Sequence, residues 1–122
     1  MNRLTLAAAA LLASAAQASP PAYVVAEISV TDMPAYTRDY AAHVEPIVQA
    51  YGGRYLARGG TVESLEGAPP APRVAVIIFP SIAQARAFHA SPEYQKLAAI
   101  RQKHSSGRLF LVEGREAAAA AK

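Results

Sequence analysis

The chain has 122 residues, which is enough for one domain and too few for two. Twelve basic and nine acidic residues give a net charge of +3, and no block of like charges occurs. A chain this close to balance is not expected to take nucleic acid or an anionic membrane as its main partner. The sequence contains no cysteine, which excludes disulfides, thiolate metal sites and cysteine nucleophiles.

The N-terminal residues 1–18 predict a signal peptide. Arg3 gives a basic start, an apolar run follows from Leu4 to Ala13, and Ala16-Gln17-Ala18 forms a cleavage site. The apolar run is too short to span a bilayer of roughly 30 Å. A buried N-terminal helix is the alternative, but this stretch has almost no polar face. We therefore expect a periplasmic or secreted protein, free of the membrane after cleavage, with its domain over residues 19–116.

The segment Tyr23–Val30 is rich in β-branched residues and predicts the first strand. Its even-numbered positions form a purely apolar face, which is expected to meet helices. The other face includes Glu27 and is mixed, which suits a cavity or a dimer contact.

A helix is predicted after this strand. Asp32 has the features of an N-cap, and Pro34 follows in the first turn. Apolar residues then recur at steps of three and four until Gly52, which suits the left-handed position that ends a helix. Pro46 lies inside the pattern and predicts a kink or a split near His43.

Two glycine pairs bracket the next segment. Gly52-Gly53 ends the helix, and Arg54–Gly59 predicts a second strand that Thr61–Glu66 continues. The second pair, Gly59-Gly60, then lies inside an extended segment, where glycine often marks a bend. We therefore expect one long, bent strand.

The following segments predict a strand and a helix that restarts once. Gly67–Pro72 is a loop by composition, and Arg73–Phe79 is the most apolar segment after the signal peptide, as in a central strand. Ser81 and Gln84 have the spacing of a capping box. Ser91-Pro92 restarts the helix with a new cap.

The last elements complete a ferredoxin-like α+β fold. Gly107 is expected to end the helix, Arg108–Val112 to form the last strand, and the Ala-rich residues 117–122 to form a loose tail. The order βαββαβ describes a four-stranded antiparallel sheet with both helices on one face. The open face of so small a domain would expose much apolar surface, so we expect a homodimer. Ile77 and Phe79 are expected to form the core of that contact.

Several segments together resemble one protein family, called domain of unknown function 1330. They are YGGRYLARGG (51–60), the pattern Glu63-x-Leu65-Glu66-Gly67, RVAVIIFPS (73–81), SPEYQ (91–95) and Ile100-Arg101. The resemblance covers about Tyr23 to Gly114 and implies a dimeric α/β barrel, in which two ferredoxin-like sheets face each other. It implies no established activity, although related barrels include cofactor-free monooxygenases and haem-handling enzymes. The family usually has an aromatic residue at the position of His89, so no role of that aromatic is carried over.

Two arginines and a glutamate are the candidate ligand-binding residues. If the polar strand faces coincide, one cavity holds Arg58, Arg73 and Glu27, with tyrosines such as Tyr94 at its rim. Alternation along the strand separates Arg58 from Tyr55. The guanidinium fork suits carboxylates and phosphates. The alternative is an Arg–Glu ion pair that fixes the dimer without a ligand.

The remaining polar residues offer little chemistry. The histidines His43, His89 and His104 lack metal-ligand spacing, so neither a metal nor another cofactor is predicted. His89 is a weak candidate for a general base, against an exposed or interface histidine. No nucleophile elbow, P-loop or dinucleotide fingerprint is present.

Two functions remain open. The first is an exported dimer that binds a small anionic or aromatic molecule without catalysis. The second is a cofactor-independent enzyme, monooxygenase- or isomerase-like, in which His89 or a tyrosine moves protons. The first is favoured because no nucleophile–base pair can be argued from the sequence.

The signal-peptide interpretation predicts that protein expressed with its own leader is processed to begin at Ser19. Intact-mass measurement checks this directly, because cleavage removes residues 1–18. A cytoplasmic protein that still begins at Met1 would contradict it.

Overall fold

The structure is a computed structural model that describes residues 19–115. The predicted signal peptide and the Ala-rich tail lie outside these residues. In chain order the elements are β1 (Ala22–Val30), α1 (Met33–Tyr36, a π-helical turn at Thr37–Ala41, and Ala42–Ala50), β2 (Arg54–Arg58), β3 (Arg73–Phe79), α2 (Ile82–Ala90), α3 (Pro92–Lys103) and β4 (Ser105–Glu113). Within the described range, no helix is both long enough and apolar enough to cross a membrane.

The four strands form one antiparallel sheet in the order β2-β3-β1-β4. The helices pack on one face of this sheet, and the core lies between them. This arrangement confirms the predicted ferredoxin-like α+β fold, with β3 as a central strand. It also confirms that the apolar face of β1 meets the helices, since Val24 and Ile28 are buried there.

The outward face of β3 differs from the prediction. Ile77 and Phe79 are only 5% and 0% exposed, and both belong to the core beneath the helices. The prediction that they form the core of a dimer contact is therefore wrong. The alternate positions Val74, Val76 and Ile78 face the open side of the sheet. Both faces of β3 are apolar, so alternation could not tell which one the helices cover.

Helix α1 carries a stripe of buried residues at steps of four, namely Tyr36, Tyr40, Val44 and Val48. In a regular α-helix each step of four turns about 40° beyond a full circle, so such a stripe drifts around the helix. The π-helical turn at Thr37–Ala41 holds more residues per turn and offsets this drift. The irregularity predicted near His43 therefore takes the form of a π turn, followed by an α-helical segment that contains Pro46.

The predicted helix caps are confirmed. The Asp32 carboxylate accepts a hydrogen bond from the Ala35 N–H at 3.1 Å, with Pro34 in the first turn. The Ser81 hydroxyl accepts from the Gln84 N–H, and the Ser91 hydroxyl accepts from the N–H of Tyr94, both at 3.2 Å. Each cap satisfies a backbone donor that the helix itself leaves unpaired.

The second glycine pair does not bend a long strand. Strand β2 ends at Arg58, and Thr61–Glu66 is not a strand. Gly59 has a φ of +70°, which turns the chain out of the sheet. A Cβ on Gly59 would lie 2.9 Å from Nη1 of Arg73, so glycine here also leaves room for that guanidinium.

The role of Gly107 is also corrected. Helix α3 ends at Lys103, and β4 already begins at Ser105, so Gly107 lies inside the strand opposite Ile28. Its φ is +151°, and a Cβ there would lie 2.1 Å from the backbone oxygen of Glu27. Glycine is required here by close backbone approach and not by a helix end.

We expect Gly107→Ala to lower the free energy of unfolding by about 1–3 kcal/mol. The alanine Cβ would strain the backbone at this φ and would collide with the backbone oxygen of Glu27 in β1. Gly60→Ala is the matched control, since a Cβ there has no neighbour within 4 Å. Chemical denaturation compares the two variants. Equal midpoints would show that β4 tolerates a side chain at Gly107.

Candidate functional site

A small cavity of about 30 Å³ lies between the sheet and helices α1 and α3. Apolar residues of the sheet, including Val24, Ile28 and Ile77, form its floor. Its polar side chains are four tyrosines and three arginines: Tyr36, Tyr40, Tyr55, Tyr94, Arg58, Arg73 and Arg101. We call it the Tyr–Arg cavity. Its volume is enough for about one water molecule.

The wall of the Tyr–Arg cavity is rich in hydrogen-bond donors. Among residues 19–115, no carboxylate and no imidazole lines it. A guanidinium has five N–H donors and no acceptor, and a neutral phenol can always donate one hydrogen bond. The cavity is therefore suited to a group that accepts hydrogen bonds and carries negative charge.

A buried hydrogen-bond network connects α1 to α3. Nη1 of Arg101 donates to the Tyr94 hydroxyl at 2.5 Å, and the hydroxyls of Tyr94 and Tyr40 lie 3.0 Å apart. Each phenol has one hydrogen, and the bond between the two hydroxyls uses only one of them. Within the described range neither hydroxyl forms another hydrogen bond, so one phenolic hydrogen is left to donate to a molecule in the cavity.

Arg101 is the most unusual residue of the site. It is only 8% exposed, and no carboxylate of residues 19–115 lies within ion-pair distance. Its guanidinium carbon lies 5.7 and 6.0 Å from the ring centroids of Tyr40 and Tyr94. These cation–π contacts offset part of the cost of burying the charge. A buried charge without a counter-ion is costly, so this position favours the binding of an anion.

Burial raises the phenol pKa of three tyrosines of the wall, Tyr36, Tyr55 and Tyr94. It raises the pKa of the Tyr94 and Tyr55 phenols well above the ordinary range, with nearby Tyr40 adding to the effect. Burial likewise raises the pKa of Tyr36, which the Arg73 guanidinium partly opposes. These phenols stay protonated at physiological pH, and the positive charge of the cavity is carried by the arginines.

Strand β2 places both Tyr55 and Arg58 in the wall, although alternation predicts opposite faces. The register pairs Tyr55 with Ile77 and Arg58 with Ala75, and Leu56 is the extra residue of a β-bulge. The bulge shifts the alternation by one position. The Arg58 guanidinium carbon lies 4.4 Å from the centroid of the Tyr55 ring.

The Arg58 guanidinium already has protein partners. Nη1 lies 3.3 Å from Oε1 of Glu45, and Nη2 donates to the backbone oxygen of Ala41 at 2.5 Å. Both partners belong to α1, so Arg58 ties β2 to this helix. The ion-pair alternative raised for Arg58 thus has a basis in the structure, with Glu45 in place of Glu27.

The expected convergence of Glu27 with the two arginines is wrong. Glu27 lies on the open face of the sheet, where its carboxylate is 3.0 Å from Nη2 of Arg108. Arg73 does line the Tyr–Arg cavity, and its guanidinium carbon lies 5.3 Å from the Tyr36 ring. Tyr94 is buried inside the cavity wall and not at a rim.

His89 lies outside the Tyr–Arg cavity. It is exposed on α2 and lines a separate groove of about 250 Å³ beside β4, together with Arg86. Its ring centroid is 5.7 Å from that of Tyr94. A role of His89 as a general base stays a prediction, and it would have to act in that groove or through Tyr94.

Arg101, Tyr36 and Tyr40 line the cavity but were not predicted as site residues from the sequence. A signal for Arg101 exists, because it shares the otherwise apolar face of its helix with Tyr94 and Ala98. The two tyrosines of α1 resemble ordinary core residues at helical spacing. Only the contact between α1 and α3 shows that their hydroxyls belong to a polar site.

Several solved structures share this fold, including the following three. A protein of unknown function from Rhodopseudomonas palustris, RPA0582, is 18% identical over 86% of this chain and 92% of that chain, with a TM-score of 0.58. SnoaB, a cofactor-independent oxygenase from Streptomyces nogalater, is 14% identical over 80% and 95%, with a TM-score of 0.58. An EthD-like protein from Ralstonia eutropha JMP134 is 16% identical over 78% and 92%, with a TM-score of 0.56. At such identities the likeness shows the fold alone.

The sequence comparisons agree with the resemblance noted above. No curated protein is significantly similar to the chain. A family model, however, matches residues 21–115, which include every strand and helix of the structure. The chain therefore belongs to the family described as Domain of unknown function (DUF1330).

Proposed function

We propose that the protein binds a small organic anion in the Tyr–Arg cavity and does not transform it. The observation that carries this proposal is Arg101, a cation that is buried without a carboxylate partner among residues 19–115. An anion in the cavity would supply the missing counter-ion. Arg73, which also lines the cavity and forms no ion pair within the described range, would add a second contact.

A carboxylate fits this site better than a bulkier anion. Its two oxygens only accept hydrogen bonds, which matches a wall of arginines and neutral phenols. Its planar shape also matches the guanidinium fork of Arg101. The volume of about 30 Å³ leaves room for a single small group unless side chains move.

A cofactor-independent enzyme in the same cavity has weaker support. The fold likeness to SnoaB is compatible with it, but a shared fold does not fix a function. A general base must give up its proton near the working pH, and burial raises the pKa of the Tyr94 phenol. His89 does not line the cavity. Binding without catalysis is therefore the better-supported function.

We also propose that the open face of the sheet binds a second copy of the chain. Its side chains are mostly apolar, and Phe110 and Val112 are 41% and 48% exposed. The other apolar members are Tyr23, Val25, Val74, Val76 and Ile78. Exposed apolar faces of this extent typically mark contacts between proteins. A second copy would present the same face and cover it by two-fold symmetry.

The anion proposal predicts that Arg101→Gln weakens acetate binding about ten- to hundredfold, because a charge-assisted hydrogen bond is lost. Isothermal titration measures the affinity, and denaturation of the same variant measures stability without acetate. Arg86→Gln, at an exposed arginine of α2 that lies outside the cavity lining, is the matched control and should change neither quantity.

A purely structural role of Arg101 would give a different pattern. The variant would then unfold more easily while its acetate affinity per folded molecule stayed that of the unmodified protein. Removal of a buried unpaired charge should instead leave stability unchanged or raise it.

The dimer proposal predicts that Val76→Glu gives a folded monomer, because a charge in the centre of the contact is costly to bury. Light scattering gives the mass, and circular dichroism shows whether the fold is kept. Ala83→Glu, on an exposed position of α2, is the control and should remain dimeric. A monomer for the unmodified protein would refute the proposal.

A further inference from the structure

A second space, which we call the outer basin, adjoins the Tyr–Arg cavity. It has a volume of about 320 Å³ and lies where β1 ends and β3 begins. Ile28 and Arg73 line both spaces. The cavity and the basin are therefore neighbours that share a wall, and the shared wall contains one flexible charged side chain.

Arg73 is placed to act as a movable partition between the two spaces. Its guanidinium rests on the Tyr36 ring, at 5.3 Å from the ring centroid, and forms no ion pair with any of residues 19–115. Gly59 also leaves room for the guanidinium, since a Cβ there would lie 2.9 Å from its Nη1. A change of side-chain rotamer would join the cavity to the basin without moving the backbone.

The two spaces differ in chemistry as well as in size. The cavity offers the buried cation of Arg101 and phenolic donors but only about 30 Å³. The basin is about ten times larger, and apolar side chains such as Val30, Met33 and Pro72 line most of it. Apart from Arg73, its lining includes no charged side chain. The cavity thus suits an acidic head, and the basin suits an uncharged, apolar body.

We propose that the ligand is a monocarboxylate with an apolar body, such as a short fatty acid. Its carboxylate lies against Arg101 and its body extends past Arg73 into the outer basin. This inference rests on the proposed anion-binding function and specifies the ligand class. Binding of the body adds the hydrophobic contribution that the small cavity cannot provide.

The affinities of the protein for acetate, butyrate and hexanoate test this inference. Each added methylene group that enters the basin should raise the affinity by up to about fourfold, so hexanoate should bind at least about tenfold more tightly than acetate. Isothermal titration under one buffer condition gives all three values.

Substitutions of Met33, which lines the outer basin, test whether the apolar body of the ligand binds there. Met33 is 49% exposed in the first turn of α1, so Met33→Ser should keep the fold. It should weaken hexanoate binding at least about fivefold and leave acetate binding unchanged, because only the longer ligand reaches it. Met33→Leu, which keeps the apolar surface, is the control and should match the unmodified protein.

The outcomes separate the two proposals. If acetate binds through Arg101 but hexanoate binds no better, the anion site stands and the role of the basin is wrong. If neither acid binds, or if Arg101→Gln leaves both affinities unchanged, the proposed function itself fails, and this inference fails with it.

Discussion

The contact between the hydroxyls of Tyr40 and Tyr94, 3.0 Å apart, joins α1 to α3 above the sheet. A hydroxyl that is buried without a hydrogen bond destabilises a fold, so the two phenols constrain each other. The Arg101 guanidinium, which donates to the Tyr94 hydroxyl, is the third member of the network. The relative rotation of the two helices, and with it the shape of the Tyr–Arg cavity, depends on this polar contact inside an apolar core.

Two backbone irregularities complete the wall of the cavity. The π turn of α1 keeps Tyr36 and Tyr40 on the face that also carries the buried valines, and its last residue, Ala41, offers a carbonyl to Arg58. The β-bulge at Leu56 turns Arg58 toward that carbonyl. A regular α-helix in α1 or a regular strand in β2 would separate the Arg58 guanidinium from the Ala41 carbonyl. Irregular turns of both kinds are often found at functional sites for this reason.

The sheet separates two surfaces of different chemistry. The helix side of β1 and β3 supplies the core and the floor of the cavity. The open side is mostly apolar, and its polar side chains are the Glu27–Arg108 ion pair, Arg54, Ser29 and Ser106. A ligand site and a docking surface can thus exist back to back in a domain of this size. Because side chains alternate along a strand, one-residue differences decide to which surface a residue belongs.

The sequence by itself determined the features that depend on neighbouring residues. β-branched runs determined β1 and β3, side-chain oxygens at Asp32, Ser81 and Ser91 determined the helix starts, and the order of elements determined the ferredoxin-like fold. These signals act over about four residues, through backbone dihedrals and local hydrogen bonds, and they can be read without a partner segment.

The tertiary structure alone decided which face of β3 is buried, since Ile77 and Ile78 are equally apolar. It also decided that Glu27 lies away from Arg58, and that Arg101 meets the tyrosine of a helix more than fifty residues earlier in the chain. These outcomes depend on strand pairing, a bulge and helix–helix packing, which are contacts between distant segments. The charge of Arg101 is visible in the sequence. Its burial without a carboxylate partner among residues 19–115 follows only from the packing, and the proposed function rests on that burial.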